Sequence, residues 1–473
     1  MGCDGKNGWA EVEFSNVDLG DKRLNRRLIK LSDSFSESPE SPINQACGDW
    51  AETKAAYRFF KNDSVNAKHI LKAHAEKTTE RAKRHKTVLA IQDTSYFVYT
   101  PHKKTEGLGK LSMKKGKHVK EILSLGLIMH SSLAITTEGV PLGLLDQKII
   151  SRKTQSEEQR KLRDVTPIED KESYRWLASL ENSKNNMGTT QMVTICDREA
   201  DIYEFFKLSR DINAPVLVRA KVDRAVNKTS RYAEKDTLKL WDFLLQKTVA
   251  GIFEVEIPSR DNKPSRIATM ELRFGAFQFN PPTNNIKHRS EKLPDLSMNA
   301  IYVLEKDPPS EDEPIEWVLL TNLPVNQLDE ALEKVHWYSL RWRIEMYHKV
   351  LKSGFRVESC RLGDADRLIK YLTVMSIIGW RIFMVTLIAR TDPDLPCHTL
   401  LANEEWKVLY LKIKKKDKYP KKIPKIGEVV IWIAQLGGFL ARKGDGYPGT
   451  ITLWRGWKRL ADLTEGWNMA LRC

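Results

Sequence analysis

The sequence predicts a mixed α/β fold, and three of its features lead to that expectation. Short apolar runs typical of strands recur between residues 88 and 220, and segments with helical periodicity alternate with them. Residues 225–322 hold further strand-like pieces joined by polar, proline-containing turns, which is typical of antiparallel β structure. Both ends of the chain carry helical patterns. We therefore expect a mixed-sheet core with an antiparallel insertion, flanked by helical N- and C-terminal domains.

The elements of the core can be placed by residue. Apolar runs predict strands at Val88–Gln92, Ile122–Ile135, Val140–Ile150, Met192–Cys196 and Val216–Ala220. Helical periodicity marks residues 173–180 and 201–209. After the antiparallel stretch, we expect one long helix from Leu328 to Lys352 and a buried helix from Leu368 to Arg390. Gly379 and Arg381 interrupt the apolar residues of the second helix, which favours a buried helix over a membrane span.

The composition indicates a nucleic-acid partner and a reducing environment. The 473 residues suggest two or three domains, and 77 Lys and Arg against 62 Asp and Glu give a net charge of +15. Such a charge favours a polyanion held through its phosphates, although basic enzymes with small substrates are the alternative. The six cysteines are scattered without C-x-x-C spacing, so no disulfide framework or zinc site is expected. No apolar signal sequence opens the chain, which predicts a cytoplasmic protein.

The N-terminal segment is expected to form three short helices. They are predicted at residues 19–35, at residues 49–61, and after Ser64 as a capping residue. In the first helix, Arg23 and Arg27 belong to a basic face around apolar leucines, a pattern that can lie against DNA phosphates. A solvated helix face is the alternative.

Two aspartates each follow a buried strand. Asp93 comes after Val88–Gln92, and Asp197 comes directly after Met192–Cys196. Ligands of α/β sheets bind at the carboxyl ends of strands, so both are candidate catalytic residues. An aspartate at a strand end is also a common turn or cap residue. Glu199 and Asp201 are rival carboxylates near Asp197, and position directly after the strand favours Asp197.

A stripe of polar residues lies on the predicted helix from Leu328 to Lys352. If that helix is continuous, Tyr338, Arg341, Glu345 and Lys352 fall within an arc of roughly 60°. The apolar residues at the same spacing on the opposite side are Trp337, Leu340, Ile344, Tyr347 and Leu351. Two strand-end aspartates and a helical glutamate would suit a pair of Mg²⁺ ions at a phosphodiester, and the stripe adds cations and a hydroxyl for its phosphate. The alternative is a solvated face with an ion pair from Arg341 to Glu345.

This stripe matches the Y-x(2)-R-x(3)-E-x(6)-K signature of bacterial insertion-sequence transposases with an RNase H-like catalytic core. The chain also resembles that family in an ordered series of segments from the N-terminal helices to residues 436–439. They are Leu19-Gly20-Asp21, Ile91-Gln92-Asp93-Thr94-Ser95, Gly139-Val140-Pro141-Leu142-Gly143-Leu144, Cys196-Asp197-Arg198-Glu199-Ala200-Asp201, Trp317-Val318-Leu319-Leu320-Thr321 and Leu436-Gly437-Gly438-Phe439. An ordered match of several segments is more specific than any single motif.

The resemblance implies a DDE transposase for cut-and-paste transposition, with Asp93, Asp197 and Glu345 as catalytic and metal-binding residues. It implies Mg²⁺ as cofactor, with Mn²⁺ as the alternative ion. Its substrates are double-stranded DNA at the terminal inverted repeats of a transposon and in a target, bound by a homodimer. Residues 1–70 would bind DNA ends, residues 71–391 would form the catalytic domain with the insertion at about 225–322, and residues 392–473 would dimerise. No membrane partner is expected, and the protein would be nucleoid-associated in the bacterial cytoplasm.

Further residues are expected to contact DNA. The resemblance implies that Trp317 stabilises a flipped base and that Tyr338, Arg341 and Lys352 hold the flanking phosphates. From their position at a strand end, Arg219, Lys221 and Arg224 are also expected DNA contacts, with solvated side chains as the alternative.

Dimerisation has a sequence argument of its own. Apolar residues between Ile423 and Trp467 exceed what a segment of this length needs for itself, although a tail packed on its own core is the competing interpretation. Two other functions stay open. A catalytically silent DNA-binding regulator would not need all three carboxylates, and a generic RNase H-like nuclease would not need the polar stripe.

Overall fold

The computed structural model describes residues 8–102, 104–111, 124–152, 166–188, 190–228, 238–257, 265–282, 293–309 and 313–470. By contacts within the chain, it divides into two compact units. The first unit takes its residues from 1–86, 94–154 and 343–473, and the second from 87–93 and 155–342. The first strand therefore begins in the second unit and ends in the first.

The first unit is mainly helical. Its helices are α1 (Trp9–Glu13), α2 (Lys22–Glu37), α3 (Ile43–Ala46), α4 (Trp50–Lys61), α5 (Ala67–Ala82), α10 (Trp342–Lys349, from Arg343 onward), α11 (Ala365–Thr391), α12 (Asn403–Lys414), α13 (Ile426–Leu436) and α14 (Thr450–Ala470). Its strands are the end of β1 (Thr87–Val98), β2 (Gly109–Leu111), β3 (Ser124–Thr136) and β4 (Pro141–Ile150). Strand β3 pairs antiparallel with β2 through residues 124–126 and with β4 through residues 128–135. Residues 122 and 123 of the strand predicted at Ile122–Ile135 lie outside the described residues.

Aspartate and asparagine caps set where the helices begin. Asp21, Asp49 and Asn66 accept hydrogen bonds from the amides of the first turns of α2, α4 and α5. The prediction that Ser64 caps the third helix was wrong, because the asparagine two residues later takes that position and the Ser64 amide instead bonds to Asn62.

Helix α11 is the centre of the first unit. Most of its residues are buried, and it contacts α2, α4, α5, β4, α13 and α14. It is long and apolar enough to span a membrane by composition, but 89% of its apolar window is buried inside the protein. Gly379 leaves room for Leu351, where a Cβ would come within 2.7 Å of the leucine side chain. Arg381 lies over the rings of Trp9 and Trp457. Gly379 and Arg381, which interrupt the apolar pattern, therefore both take part in packing the helix against its neighbours.

The second unit is a mixed sheet covered by helices. Its sheet runs through the start of β1, then β5 (Gln191–Cys196), β6 (Val216–Arg219), β10 (Glu316–Thr321), β9 (Leu296–Lys306), β8 (Arg266–Phe279) and β7 (Gly251–Ile257). Its helices are α6 (Tyr174–Met187), α7 (Tyr203–Asp211), α8 (Leu240–Leu245) and α9 (Leu328–Ser339). Strands β1, β5 and β6 are parallel to one another. Beyond β6 the pairing is antiparallel: β10 pairs with β6 and β9, and β8 pairs with β9 and β7. The antiparallel stretch predicted at 225–322 thus extends the same sheet beyond β6.

A buried ion network ties the N-terminal helix to the rest of the first unit. The Glu13 carboxylate on α1 accepts two hydrogen bonds from Arg81 on α5, at 2.8 and 3.0 Å, and lies 2.5 Å from Nδ1 of His74. The Leu144 amide of β4 donates to Nε2 of His74 at 2.9 Å, so this imidazole is neutral and carries its proton on Nδ1. Trp380 of α11 covers both His74 and Arg81.

The network fixes the charge of Glu13. Burial opposes ionisation of the carboxyl, but the interactions with His74 and Arg81 outweigh burial and hold the pKa of Glu13 at about 2. Burial lowers the pKa of His74 despite the carboxylate beside it, in agreement with a neutral ring. Gly143 of β4 has a φ of +148°, and a Cβ there would collide with Thr78 of α5. Helix α5 and strand β4 are therefore held in close contact.

Replacing Glu13 with Gln should lower the free energy of unfolding at pH 7 by about 3 kcal/mol, because Arg81 would keep a largely buried charge without its partner. Urea unfolding of the full chain measures the difference. Since the pKa of Glu13 is depressed, the advantage of the wild type should shrink as the pH falls from about 4.5 towards 2. The matched control is Glu11→Gln on the exposed side of α1. Equal stability of the two variants would contradict the prediction.

Candidate active site and DNA-contacting surfaces

Asp93 and Asp197 belong to two adjacent parallel strands. Asp197 directly follows the end of β5, but Asp93 lies inside β1, which continues to Val98, so the prediction that a strand ends before Asp93 was wrong. Strand β1 pairs with β5 in a register that sets Ile91 opposite Ile195. Each aspartate follows its isoleucine by two residues, so the two aspartates lie at the same level, where β5 ends and β1 continues. The strands before them are fully buried, which fixes this register.

The surroundings of Asp197 are those of a site that attracts cations. Its side chain accepts a hydrogen bond from the Glu199 amide at 2.8 Å and thereby caps the short 3₁₀ helix Arg198–Ala200. Burial raises the pKa of the Asp197 carboxyl, the negative charge of Asp93 raises it further, and Arg341 acts in the opposite direction. A cation between the two carboxylates would relieve both burial and repulsion, so this donor set fits a divalent metal ion.

Aromatic and cationic side chains gather beside these aspartates in the second unit. The rings of Trp317 on β10 and Tyr338 on α9 meet edge to face at 5.2 Å. Burial raises the pKa of the Tyr338 hydroxyl, while the charges of Arg341 and Arg219 oppose that rise. Burial likewise lowers the pKa of Arg219, whose guanidinium donates to the carbonyl of Glu316 at 2.7 Å. Five of the residues expected at the site therefore lie together with Asp197.

The long helix expected from Leu328 to Lys352 is interrupted. Helix α9 ends at Ser339, α10 begins at Trp342, and a π-helical turn follows at Val350–Gly354. At the break, the Arg341 amide bonds to the carbonyl of Tyr338, three residues back, which tightens the turn. The polar residues therefore do not form the stripe of one continuous helix, and Tyr338 is buried. The apolar face was predicted correctly, since Trp337, Leu340, Ile344, Tyr347 and Leu351 are all buried.

Glu345 and Lys352 belong to the first unit. Glu345 is half-buried on α10, which is fixed against α11 by a hydrogen bond from the Tyr347 hydroxyl to the Ser376 carbonyl. Lys352 lies in the π-helical turn, and its ammonium is 5.4 Å from the centre of the Phe97 ring. π-helical turns are rare and occur often at functional sites.

Asp201 fixes the backbone that follows strand β6. This fully buried carboxylate accepts hydrogen bonds from the amides of Lys221 and Val222, at 2.7 and 3.2 Å, and pairs with Arg224. The Arg224 guanidinium also lies 4.2 Å from the centre of the Phe279 ring and is only 13% exposed. Lys221 is exposed. Of the cations expected at this exit, Lys221 is the more accessible one.

The N-terminal cations are partly neutralised. Arg27 and Lys30 of α2 both pair with Glu52 of α4, and the exposed Arg23 pairs with its own capping residue, Asp21. Glu52 lies 25 residues beyond Arg27 in the sequence, so helical periodicity could not reveal this pairing.

Helix α4 presents a basic and aromatic face that the sequence analysis missed. Trp50 is 78% exposed and Tyr57 is 42% exposed. Lys54, Arg58 and Lys61 are exposed on the same side, and none of them has an acidic partner within the described residues. We name Trp50, Lys54, Tyr57, Arg58 and Lys61 the α4 face. The spacing of four, three and four residues from Trp50 to Lys61 could have identified it.

The C-terminal apolar residues pack mostly within their own subunit. Val429, Ile433, Leu436 and Trp454 are buried, and α13 and α14 contact α11. The expectation of a surplus of apolar surface from Ile423 to Trp467 was therefore wrong for most of that segment. The large apolar side chains that stay exposed there are Ile423, Leu440, Tyr447 and Trp467.

Histidines were not expected as metal ligands. Buried His130 contacts Thr94 at 2.9 Å, and His348 is buried on α10. Across the described ranges, no group of three or more His, Cys, Asp or Glu side chains is arranged to hold a metal ion.

A mixed sheet that places two aspartates level with each other on adjacent parallel strands, beside arginines, a tyrosine and a tryptophan, fits the class of enzymes with metal-dependent phosphodiester chemistry. Family models identify which one. The transposase DNA-binding family matches residues 6–65, the transposase DDE domain matches residues 144–378, and the transposase Tn5 dimerisation domain matches residues 377–472. The chain is a DDE transposase of the Tn5 type.

Several expectations are thereby confirmed. The protein is an enzyme that uses divalent metal, binds DNA and forms homodimers, and a DNA-binding transposase of this kind is a cytoplasmic protein. The mixed sheet with helical N- and C-terminal regions agrees with the expected RNase H-like core. Asp197 and Glu345 lie inside the DDE match, and Asp93 lies before it.

Replacing Asp201 with Asn should lower the free energy of unfolding by about 3 kcal/mol, because Arg224 would lose the counter-charge of its shielded guanidinium. If the pair is the cause, the double variant Asp201→Asn/Arg224→Gln should lose less than the sum of the two single losses. Urea unfolding measures all three variants. The control is Asp242→Asn, an exposed aspartate of α8. Additive losses would show that the two residues act independently.

Proposed function

We propose that this transposase moves DNA by a cut-and-paste reaction in which Asp93, Asp197 and Glu345 hold Mg²⁺. The observation that carries the proposal is that Asp93 within β1 lies level with Asp197 after β5, because the repulsion between the two carboxylates favours a bound cation. All three side chains offer carboxylate oxygens, which Mg²⁺ prefers, and Mn²⁺ accepts the same ligands. Glu345 is proposed from its place in the Y-R-E-K signature.

The proposed reaction is a series of in-line exchanges at phosphorus. Water attacks the phosphodiester at the transposon end, and the 3′ oxygen leaves. That new 3′-OH attacks the opposite strand, where the 3′ oxygen of the flanking DNA leaves and a hairpin closes. Water attacks the hairpin phosphate and displaces the transposon 3′ oxygen. The restored 3′-OH then attacks a phosphodiester of the target, and the 3′ oxygen of the target strand leaves. When bound, the metal ions activate the attacking oxygen and stabilise the leaving one.

Other residues would position the DNA. We propose that Arg219 and Arg341 attract non-bridging oxygens of the reacting phosphate and that Tyr338 donates a hydrogen bond to it. Trp317 would stack against a flipped base, which its half-buried ring beside Tyr338 supports. The proposed contacts to flanking phosphates are Lys352, Lys221 and Arg224.

The domain assignment is also a proposal. Residues 1–70 would bind the transposon ends, residues 71–391 would catalyse the reaction, and residues 392–473 would join two subunits. Such a protein would be nucleoid-associated, because its net charge favours binding to bulk DNA.

Replacing Asp93, Asp197 or Glu345 singly with Ala should abolish Mg²⁺-dependent cleavage of end DNA while leaving binding nearly intact, because metal ligands serve the chemistry more than docking. The substrate is a duplex carrying the inverted repeats that flank the gene. Gel shifts measure binding and denaturing gels measure cleavage, with EDTA as the metal-free control. The matched carboxylate control is Glu199→Ala, a near neighbour of Asp197. Full cleavage by any of the three variants would remove that residue from the site.

End binding should use both the α2 arginines and the α4 face. Replacing Lys54, Arg58 and Lys61 together with Gln should reduce the slope of log K against log salt by up to about 2.7, since each lost phosphate contact contributes about 0.9. Replacing Arg23 and Arg27 should reduce it by less than about 1.8, because both arginines have acidic partners. Fluorescence anisotropy with the end duplex measures both slopes. An unchanged slope in the triple variant would mean that the α4 face stays in solvent and does not contact the end duplex.

A further inference from the structure

A second basic surface lies in the region that the dimerisation model matches. Residues 412–425 contain eight lysines and one aspartate, a net charge of +7 in a chain whose total is +15. This stretch covers the end of α12 and the connection to α13. We name residues 414–425 the lysine loop. Neither catalysis nor end binding, as proposed above, uses it.

Most charges of the lysine loop have no counter-charge. Lys425 pairs with Asp394 at 2.5 Å, and Lys414 lies over the ring of Trp432. The remaining lysines are exposed, and within the described part of the chain no acidic side chain pairs with them; they are Lys415, Lys416, Lys418, Lys421 and Lys422. Residues 415–422 hold five lysines against the single Asp417, so the lysines repel one another, and a polyanionic partner would relieve that repulsion.

The loop is nevertheless held in place. Tyr419, near its middle, packs edge to face on the buried Trp406 of α12, and Lys407 lies over both rings. The carbonyl of Pro424 accepts a hydrogen bond from the Cys397 amide at 2.8 Å, which fixes the end of the loop. Pro420 and Pro424 further restrict the backbone. An anchored loop loses less conformational entropy on binding than a free one.

The side chains indicate what kind of contact the loop makes. Lysine ammonium groups bind phosphate as point charges and carry little information about base sequence. Among residues 414–425 there is no Arg, Asn or Gln, whose planar side chains read base edges through paired hydrogen bonds. The surface therefore suits DNA that is bound without regard to its sequence.

We propose that the lysine loop binds the phosphates of duplex DNA without reading sequence, and that target DNA is the duplex it holds. This inference rests on the proposed transposition reaction, in which transposon ends must be recognised by sequence. A target only has to be held against the 3′-OH that attacks it. The region matched as a dimerisation domain would thus also capture the target.

The test replaces all five unpaired lysines with Gln in the full chain. Affinity for a random-sequence duplex of about 30 base pairs, measured in EDTA, should fall at least tenfold, and the slope of log K against log salt should fall by up to about 4.5. Binding and cleavage of the end duplex should stay within about twofold, whereas transfer of pre-cut ends into a plasmid should fall at least tenfold.

Two control variants test whether the effect depends on positive charge in the lysine loop or only on the net charge of the protein, and thermal melting tests for misfolding. Replacing the same five lysines with Arg keeps the charge and should preserve transfer. The charge-matched control replaces five exposed lysines elsewhere with Gln: Lys83, Lys86, Lys110, Lys239 and Lys306. Thermal melting of each variant reports on folding.

The outcomes differ for each claim. Unchanged affinity and salt slope on the random duplex would overturn the proposal, and that measurement requires neither cleavage nor transposon ends. An equal loss on end and random duplexes would keep the phosphate contact but overturn the assignment to target DNA. A wild-type protein that never cleaves the end duplex would instead count against the proposed function.

Discussion

The parallel pairing of β1 with β5 is the constraint on which the active site depends. Both strands are buried, and their register from Thr87 with Gln191 to Ile91 with Ile195 decides where each following residue emerges. A slip by one residue would turn Asp93 to the opposite face of the sheet. The two aspartates therefore lie close together because only one register buries the apolar residues that precede them.

The sheet and its carboxylates could be predicted because the information is local. Apolar runs followed by aspartate are visible in the sequence, and helix α7 between β5 and β6 accounts for the parallel arrangement of those two strands. The pairing of β1 with β5 does not follow in this way, because β2, β3, β4 and α6 lie between them. The order of the later strands was not visible. β10 pairs with β6 and β9, and β9 pairs with β8, so the antiparallel stretch continues the sheet instead of standing apart. The alternation of apolar and polar residues within a strand does not show which distant strand it pairs with.

The sequence pattern gave wrong predictions where contacts between distant residues determine the structure. The apolar spacing runs through Leu340 and Arg341 without change, because the residues on both sides of the break are buried, so one helix was expected where two occur. Likewise, the basic face of α2 looked free for DNA, whereas Glu52 from α4 pairs with Arg27. The unpaired cations are on α4 itself. Charge patterning identified the right domain, but only the ion pairs separate available cations from neutralised ones.

The network of Glu13, His74 and Arg81 limits how this transposase can be recombined with its relatives in the laboratory. Exchanging DNA specificity between relatives by grafting an N-terminal segment cut at residue 70 would divide α5 and carry Glu13 away from His74 and Arg81. The chimera would then hold a buried carboxylate from one parent against the cations of the other. A graft that keeps α1, all of α5 and the Leu142–Leu144 backbone together would transfer the interlocking part as one piece. The practical boundary for such swaps is thus set by buried charge, and it lies beyond Lys61, the last N-terminal residue proposed to contact DNA.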